Sequence, residues 1–349
     1  MRKIFLVALV LTAALWVCCG SMAQLGADED REVRRIMELM ASLPAPPPVE
    51  LREVEPSEGF QELAPAIEMK MGEAVRLHAQ SIFDSGPDDG LEVMFCLQGG
   101  KNHEAIGWIP TTNAQMVKSA FILALDLEDG VGSYEDSGIP VRGTPVQMLI
   151  RWQPDRLLDP DRWVEVDASQ MVRSRGTDHA YPPVPYMYTG SRIYRTMGTN
   201  REGKPVELER FMLEVTKSVA VNYDEPDALL GSPFPTAARD VLFEMNSAIA
   251  PPPRTPMLVY FRRVELPLTL RSDAENGLWY KDEKVDDEAL QQLLQRYYGG
   301  ETPPNQYAVA LARPKDVPRE EDLPLRERLL EAAVAAEVWV VPVFTLIRD

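Results

Sequence analysis

The sequence predicts an α+β protein: a mainly antiparallel β domain with one main helix, followed by a small ββαβαβ domain. Three observations carry this. Between residues 49 and 262, successive segments alternate apolar and polar side chains with a period of two, the mark of half-buried strands. One stretch there, opening at Asn113, switches to helical spacing. After residue 263 the rhythm changes again, to short strands separated by two helical segments. A chain of 349 residues is long enough for two cores of this kind.

The elements follow in order. Arg2 and Lys3 precede an uncharged apolar run, Ile4 to Val17, and Ser21-Met22-Ala23 supplies small residues where a signal peptidase cuts. This layout predicts a signal peptide over residues 1–23, a mature chain beginning at Gln24, and a periplasmic or secreted protein of a bacterial envelope. The alternative is an inner-membrane anchor over residues 4–23, since about 20 apolar residues suffice to span a bilayer. A lipid anchor fits less well. Trp16 and Val17 precede Cys18, and Val17 and Cys18 precede Cys19, where an acylated cysteine follows small residues.

Residues 27–43 read as a charged helix with Val33, Ile36, Met37, Met40 and Leu43 on one face, suited to docking on the domain behind it. Pro44-Ala45-Pro46-Pro47-Pro48 ends that helix in a stiff, extended spacer, so residues 24–48 form a helix and Pro-rich linker. Half-buried strands are then expected around Val75, Leu77 and Ala79, around Leu91, Val93, Phe95 and Leu97, and around Val146, Met148, Ile150 and Trp152. The helix between them is capped by Asn113 and carries Met116, Val117, Ala120, Phe121, Ala124 and Leu125 on its apolar face. A last strand, Met257 to Phe261, closes the domain.

In residues 263–349, Leu266, Leu268 and Leu270 alternate as a strand, and Asn276-Gly277 marks a tight turn answered by Leu278-Trp279-Tyr280. Asp286 or Asp287 caps a helix bearing Leu290, Leu293, Leu294 and Tyr297, stopped by Gly299-Gly300. Tyr307, Val309 and Leu311 form the next strand. Asp322 with Pro324 opens a second helix with Leu325, Leu329, Ala332, Ala333 and Ala336, and Val338 to Ile347 is a strand that Pro342 assigns to an edge or bulge.

Composition narrows the function. The formal net charge is −18, and it becomes more negative once Arg2 and Lys3 leave with the signal. So acidic a chain repels phosphate backbones, which excludes nucleic acid as a partner. Loss of Cys18 and Cys19 leaves Cys96 alone, too little for a disulfide, a thiolate zinc site or an iron–sulfur cluster. No phosphate loop, zinc-protease helix or dinucleotide fingerprint occurs, and no cofactor is expected.

The best candidate binding residues are Gly99, Gly100, His103 and Glu104, with Ser191 and Arg192 joining if the two loops meet. The paired glycines permit close backbone approach, and their amides could face a ligand. A histidine beside a carboxylate can act as a base or join a metal site, with Cys96, Asp178 and His179 as further donors through space. Against this, adjacent His-Glu lacks the spacing that puts two ligands on one helix face, so His103 can equally pack on its turn. Gly190-Ser191-Arg192 lacks the nucleophile elbow, and Arg192 can pair with an acid at the sheet edge. Tyr181, Tyr186, Tyr188 and Tyr194 offer either a stacking surface or the lid of a core.

Two resemblances add to this. Leu97-Gln98-Gly99-Gly100-Lys101-Asn102-His103-Glu104-Ala105, the helix with Ala120 and Leu123-Ala124-Leu125, Tyr188-Thr189-Gly190-Ser191-Arg192 and the Pro-rich turn before Met257 resemble, in this order, the YdjY domain family of exported bacterial proteins. The likeness covers about residues 50–262 and implies no activity. Residues 263–349 are similar to the periplasmic domain of ExbD/TolR-type proteins, through Gly277-Leu278-Trp279-Tyr280, Val285 to Leu290 and Leu329 to Val343. That likeness implies an envelope protein or membrane motor subunit as partner and a homodimer through this C-terminal domain. The family's membrane helix with its proton-coupling acid does not stand directly upstream. The expectation is thus an exported envelope protein with a binding or structural role. The alternatives are an accessory of an ExbD/TolR-type transport system and a metal-assisted hydrolase using His103 and Glu104.

Overall fold

A computed structural model describes residues 29–347, apart from residues 50, 56, 88, 89, 133–137, 176–178, 200, 240, 241, 301 and 303. The segment expected to be a signal peptide, and Asp178, lie outside the described residues. The fold is α+β, with a large, mainly antiparallel sheet.

The first half comprises α1 (Glu29–Ser42), β1 (Arg52–Val54), β2 (Gln61–Ala64), β3 (Ile67–Lys70), β4 (Ala74–Ser81), β5 (Val93–Leu97), β6 (Ala105–Ile109) and α2 (Ala114–Leu125). Next come β7 (Thr144–Trp152), β8 (Trp163–Asp167), β9 (Val172–Ser174), β10 (Tyr186–Tyr188), β11 (Ile193–Thr199), β12 (Pro205–Phe211) and α3 (Met212–Thr216). β13 (Ser218–Val221), β14 (Leu230–Gly231), β15 (Phe243–Met245) and β16 (Pro256–Arg263) complete this part.

The last strand of the part locks it. β16 pairs with β4 over Pro256–Phe261 and with β7 over Met257–Arg263. The ladder therefore closes on itself as β16–β4–β6–β5–β13–β14–β10–β7 and back to β16. Closure removes the free edges that strands otherwise expose. Parallel pairing is confined to β5 with β6 and β13 with β14; the other neighbours in the circuit are antiparallel.

α2 forms where expected. Asn113 Oδ1 accepts the Met116 N–H at 3.0 Å, and Val117, Ala120, Phe121, Ala124 and Leu125 are buried. Phe121 meets the Phe261 ring at 4.8 Å and stacks on Tyr188 at 5.8 Å. Two strands expected to be half-buried are covered on both faces. In β5, Phe95 and Leu97 enter the main core while Val93 and Cys96 join a second small cluster with Ala105, Val221, Tyr223 and Ala228. In β7, Arg151 on the polar face is buried against Glu165 at 2.7 Å and Ser57 Oγ at 2.6 Å, its guanidinium 4.2 Å from the Tyr260 ring. Polar residues of an alternating pattern can thus face a second layer of chain as well as water.

A second sheet has the order β19–β18–β17–β20–β21, from β17 (Leu268–Ser272), β18 (Leu278–Tyr280), β19 (Glu283–Val285), β20 (Ala308–Arg313) and β21 (Val341–Leu346). Its helices are α4 (Asp287–Tyr298) and α5 (Asp322–Ala335). The sequence pattern missed β19. The turn before it, Lys281-Asp282, has positive φ at both residues without the usual Asn or Gly. Asp286 does cap α4, its Oδ1 accepting the Ala289 N–H at 2.9 Å. Pro342 lies in an edge strand, and the outer side of that edge receives the Gly143 N–H at Phe344 O, 3.1 Å away.

α1 docks on α5. Ile36, Leu39 and Leu43 are buried, Arg35 pairs with Glu327 and Glu331, and Glu32 pairs with Arg326. One apolar cluster runs through α1, the closed circuit and the second sheet without a break. None of the described helices is long and apolar enough to cross a membrane.

Candidate functional site

The loop between β5 and β6 turns on its two glycines for different reasons. Gly99 has φ +84°, which a side chain resists, while its Cβ position is open. Gly100 lacks room: a Cβ there would stand 2.7 Å from Lys217 Cβ and 2.9 Å from Cys96 Cβ. The amides of Gly100, Asn102 and Glu104 donate to the carbonyls of Leu97, Gly100 and Lys101. The cradle that a double glycine suggests is therefore filled by the loop's own oxygens.

Lys101 organises this loop. Its Nζ donates to Glu92 Oε2 and to Tyr223 OH, both at 2.8 Å, and lies 3.5 Å from Glu104 Oε2. Tyr223 OH donates in turn to Glu225 Oε2, whose other oxygen accepts from Ser218 Oγ at 3.0 Å. Burial works against the Lys101 ammonium, but the bonds to Glu92 and Tyr223 outweigh it and raise its pKa. The lysine stays protonated and is no base. Burial raises the Glu225 carboxyl against the pull of Lys101, and burial with Glu225 nearby raises the Tyr223 phenol.

Among the described residues His103 pairs with Glu104 alone, at 3.0 Å, and it is 77% exposed. Cys96 is buried, donates to Asn102 Oδ1 at 2.9 Å, and is pushed by burial up to about 12. A thiol held so far from ionisation is not a nucleophile. Among the described residues, no group of three or more His, Cys, Asp and Glu side chains is placed to hold a metal.

Ser191 and Arg192 sit at a different corner. Ser191 is buried at φ +59°, with its Oγ donating to Asp227 O and accepting the Leu213 N–H. Arg192 pairs with an acid, Asp227, which the sequence did not single out. No described bond joins this pair to His103 or Glu104. Both corners grip one segment, residues 212–227: the first through Lys217 O, Tyr223 and Glu225, the second through Leu213 and Asp227. Of the tyrosines, Tyr181, Tyr186 and Tyr188 are core, with Tyr181 4.2 Å from the Phe234 ring and Tyr186 OH donating to Asn222. Tyr194 is exposed.

From Ser191 and Arg192 springs the feature that the sequence reading missed. Among the described residues, β11 and β12 pair only with each other, in register from Ile193 opposite Phe211 to Thr199 opposite Pro205. Of the fourteen residues, only Phe211 is buried. Ile193, Tyr194, Met197 and Leu208 are exposed large apolar side chains on this arm, with Met197 at 69%. The available signal was the alternation Val206-Glu207-Leu208-Glu209 after Arg201-Glu202-Gly203. Tyr223, Glu225 and Asp227 carried no motif and could be found only in three dimensions, while Lys101 stood within the Leu97–Ala105 run without a role assigned to it. No family model, curated protein or solved structure matches the chain.

Gly100→Ala is expected to lower stability by about 1–3 kcal/mol, the usual cost of forcing an atom into packed space. Gly99→Ala should cost only about 1–2 kcal/mol, from the left-handed backbone alone. Urea titration of both variants checks the order; a neutral Gly100→Ala would show that Lys217 gives way freely.

Proposed function

We propose that this chain is an exported envelope protein whose role is binding, and that the β11–β12 arm presents the binding surface. The single observation that carries the reading is the arm itself: seven-residue strands, exposed on both faces, with large apolar side chains in water. A lone two-stranded hairpin is marginal in water, and contiguous exposed apolar groups mark interaction sites. Ser191, Arg192 and Asp227 hold its root, so those candidate residues position the surface. The Gly99–Glu104 loop buttresses the same 212–227 segment from the other side. Export rests on the layout of residues 1–23. The ionisable groups near His103 support binding over catalysis, since Lys101 is held protonated and Cys96 protonated and buried.

A photo-reactive residue placed at Met197 tests this in living cells. Adducts to an envelope component are expected, and they should vanish in Ile193→Ser with Tyr194→Ser while the stability of the purified protein is unchanged. A chain that forms no adduct from position 197 is not a binding protein of this kind. N-terminal sequencing of the same material should begin at Gln24. A second reading, an accessory of an ExbD/TolR-type system, draws on the resemblance of residues 263–349. It requires a membrane motor subunit in the adducts or in a pull-down.

A further inference from the structure

We propose that the arm's partner is a second copy of this chain: two β11 strands pair antiparallel about Thr196, making a four-stranded sheet β12–β11–β11–β12. This rests on the arm being the binding surface.

The two outer edges of the hairpin are not equivalent. β12 opens with Pro205, which has no N–H to donate, and carries Glu207, Glu209 and Arg210. Charges and proline are the usual means of blunting an edge. Pairing β12 with its own copy about its midpoint Leu208 would set Glu207 against Glu209 twice. β11, Ile193–Thr199, carries one charge in seven residues. Its two-fold register about the midpoint Thr196 overlaps the whole strand and sets Thr196 against Thr196, Arg195 against Met197, Tyr194 against Gly198 and Ile193 against Thr199. No like charges meet. Tyr194 also lands opposite Gly198, where Leu208 of the same hairpin already fills the space over the glycine, so the ring meets an apolar side chain.

Charge favours this edge over any broad face. The chain as a whole carries −18, whereas residues 192–211 hold five basic and three acidic side chains. The arm is about 20 Å long at strand spacing. That exceeds the screening length of about 8 Å at physiological salt, so arm-to-arm pairing keeps the two acidic bodies out of each other's field. The two-fold axis makes the contact self-complementary and closed, giving a dimer rather than a fibre.

Sedimentation equilibrium of the intact purified protein, over a concentration series at low and high salt, tests this. A monomer–dimer equilibrium is expected, weaker at low salt, where the screening length grows to about 30 Å and the acidic bodies repel across the arms. Met197→Lys should weaken it about tenfold by facing Arg195 of the partner, counted twice by symmetry. Met197→Glu should strengthen it several-fold for the opposite reason. Met197 is exposed, so neither change disturbs a core. Thr196→Cys should give a disulfide-linked dimer on mild oxidation, since directly opposed residues lie about 5 Å apart at Cβ, while buried Cys96 does not compete. A protein that stays monomeric throughout, or a dimer indifferent to the charge at 197, overturns the pairing. The adduct from position 197 separates the two levels. A product of twice the chain mass supports self-pairing. A different envelope protein overturns self-pairing and leaves the binding reading, and no adduct removes both.

Discussion

Asp322→Ala is expected to destabilise the protein by about 3–5 kcal/mol, the cost of leaving buried charge uncompensated. Arg142, Arg313 and Asp322 are all buried. Arg142 Nε and Nη2 donate to the two Asp322 oxygens at 2.6 and 2.8 Å, and Arg313 Nε donates to Oδ1 at 2.9 Å. Backbone oxygens of Val317, Pro318 and Asp273 take further guanidinium donors. One carboxylate therefore faces two cations in a place where water cannot replace it. Asp322→Asn keeps the shape and removes the charge, so a loss close to that of the alanine variant would identify charge as the cause. Urea midpoints at neutral pH measure both. A loss below about 1 kcal/mol would mean that the site hydrates when Asp322 is removed.

This node also bears on how the chain divides. Arg142 precedes β7, while Arg313 and Asp322 belong to residues 263–349, and the apolar core is continuous across the same boundary. Limited proteolysis at residues 264–267, the connection between β16 and β17, is expected to give two fragments that stay together under native conditions. In Asp322→Ala they should separate on gel filtration. Nicked wild-type fragments that part on their own would mark two units with independent cores.

What the sequence made legible follows from the range of the interactions involved. Asn113 and Asp286 were readable as caps because a cap acts within three residues. The strands around Val75, Phe95 and Ile150 were readable because alternation is local. Circuit closure was not, since β16 meets β4 across about 180 residues and nothing in Met257–Phe261 names its partners. Asp322 was legible as the opening of its helix, but not its partners: its side chain accepts from Arg142 and Arg313. Arg142, in a Val-Arg-Gly context, looks like any surface arginine until the fold buries it. The arm illustrates a different limit. Its exposed apolar groups break the rule that alternation reports a core, which is why it was passed over and why it stands out as a surface for binding.

Asp167→Asn is expected to stabilise the protein by about 3 kcal/mol at neutral pH, with a gain that disappears on acidification. Asp167 is fully buried at the end of β8. Its Oδ1 accepts from Ser169 Oγ at 2.9 Å and the Ser169 N–H at 3.2 Å, and its Oδ2 accepts from Gln147 at 3.1 Å and Gln306 at 3.3 Å. None of these donors is a cation. Burial outweighs the bonds from Gln147, Ser169 and Gln306 and raises the carboxyl from 3.8 to about 6. A carboxyl raised in the folded state penalises folding whenever it must ionise. The penalty is full above pH 6, shrinks as pH falls through the folded value, and is gone below pH 4, where the unfolded chain also binds the proton. Asparagine mimics the protonated form, and Gln306 Oε1, which has no hydrogen-bond partner among the described residues, can accept from the new amide once the glutamine amide turns. The measurement is the stability difference between variant and wild type from pH 4 to 8, which cancels the other carboxylates. A difference that is flat with pH, or a variant less stable at pH 7, would show that Asp167 is held ionised by groups beyond these three residues.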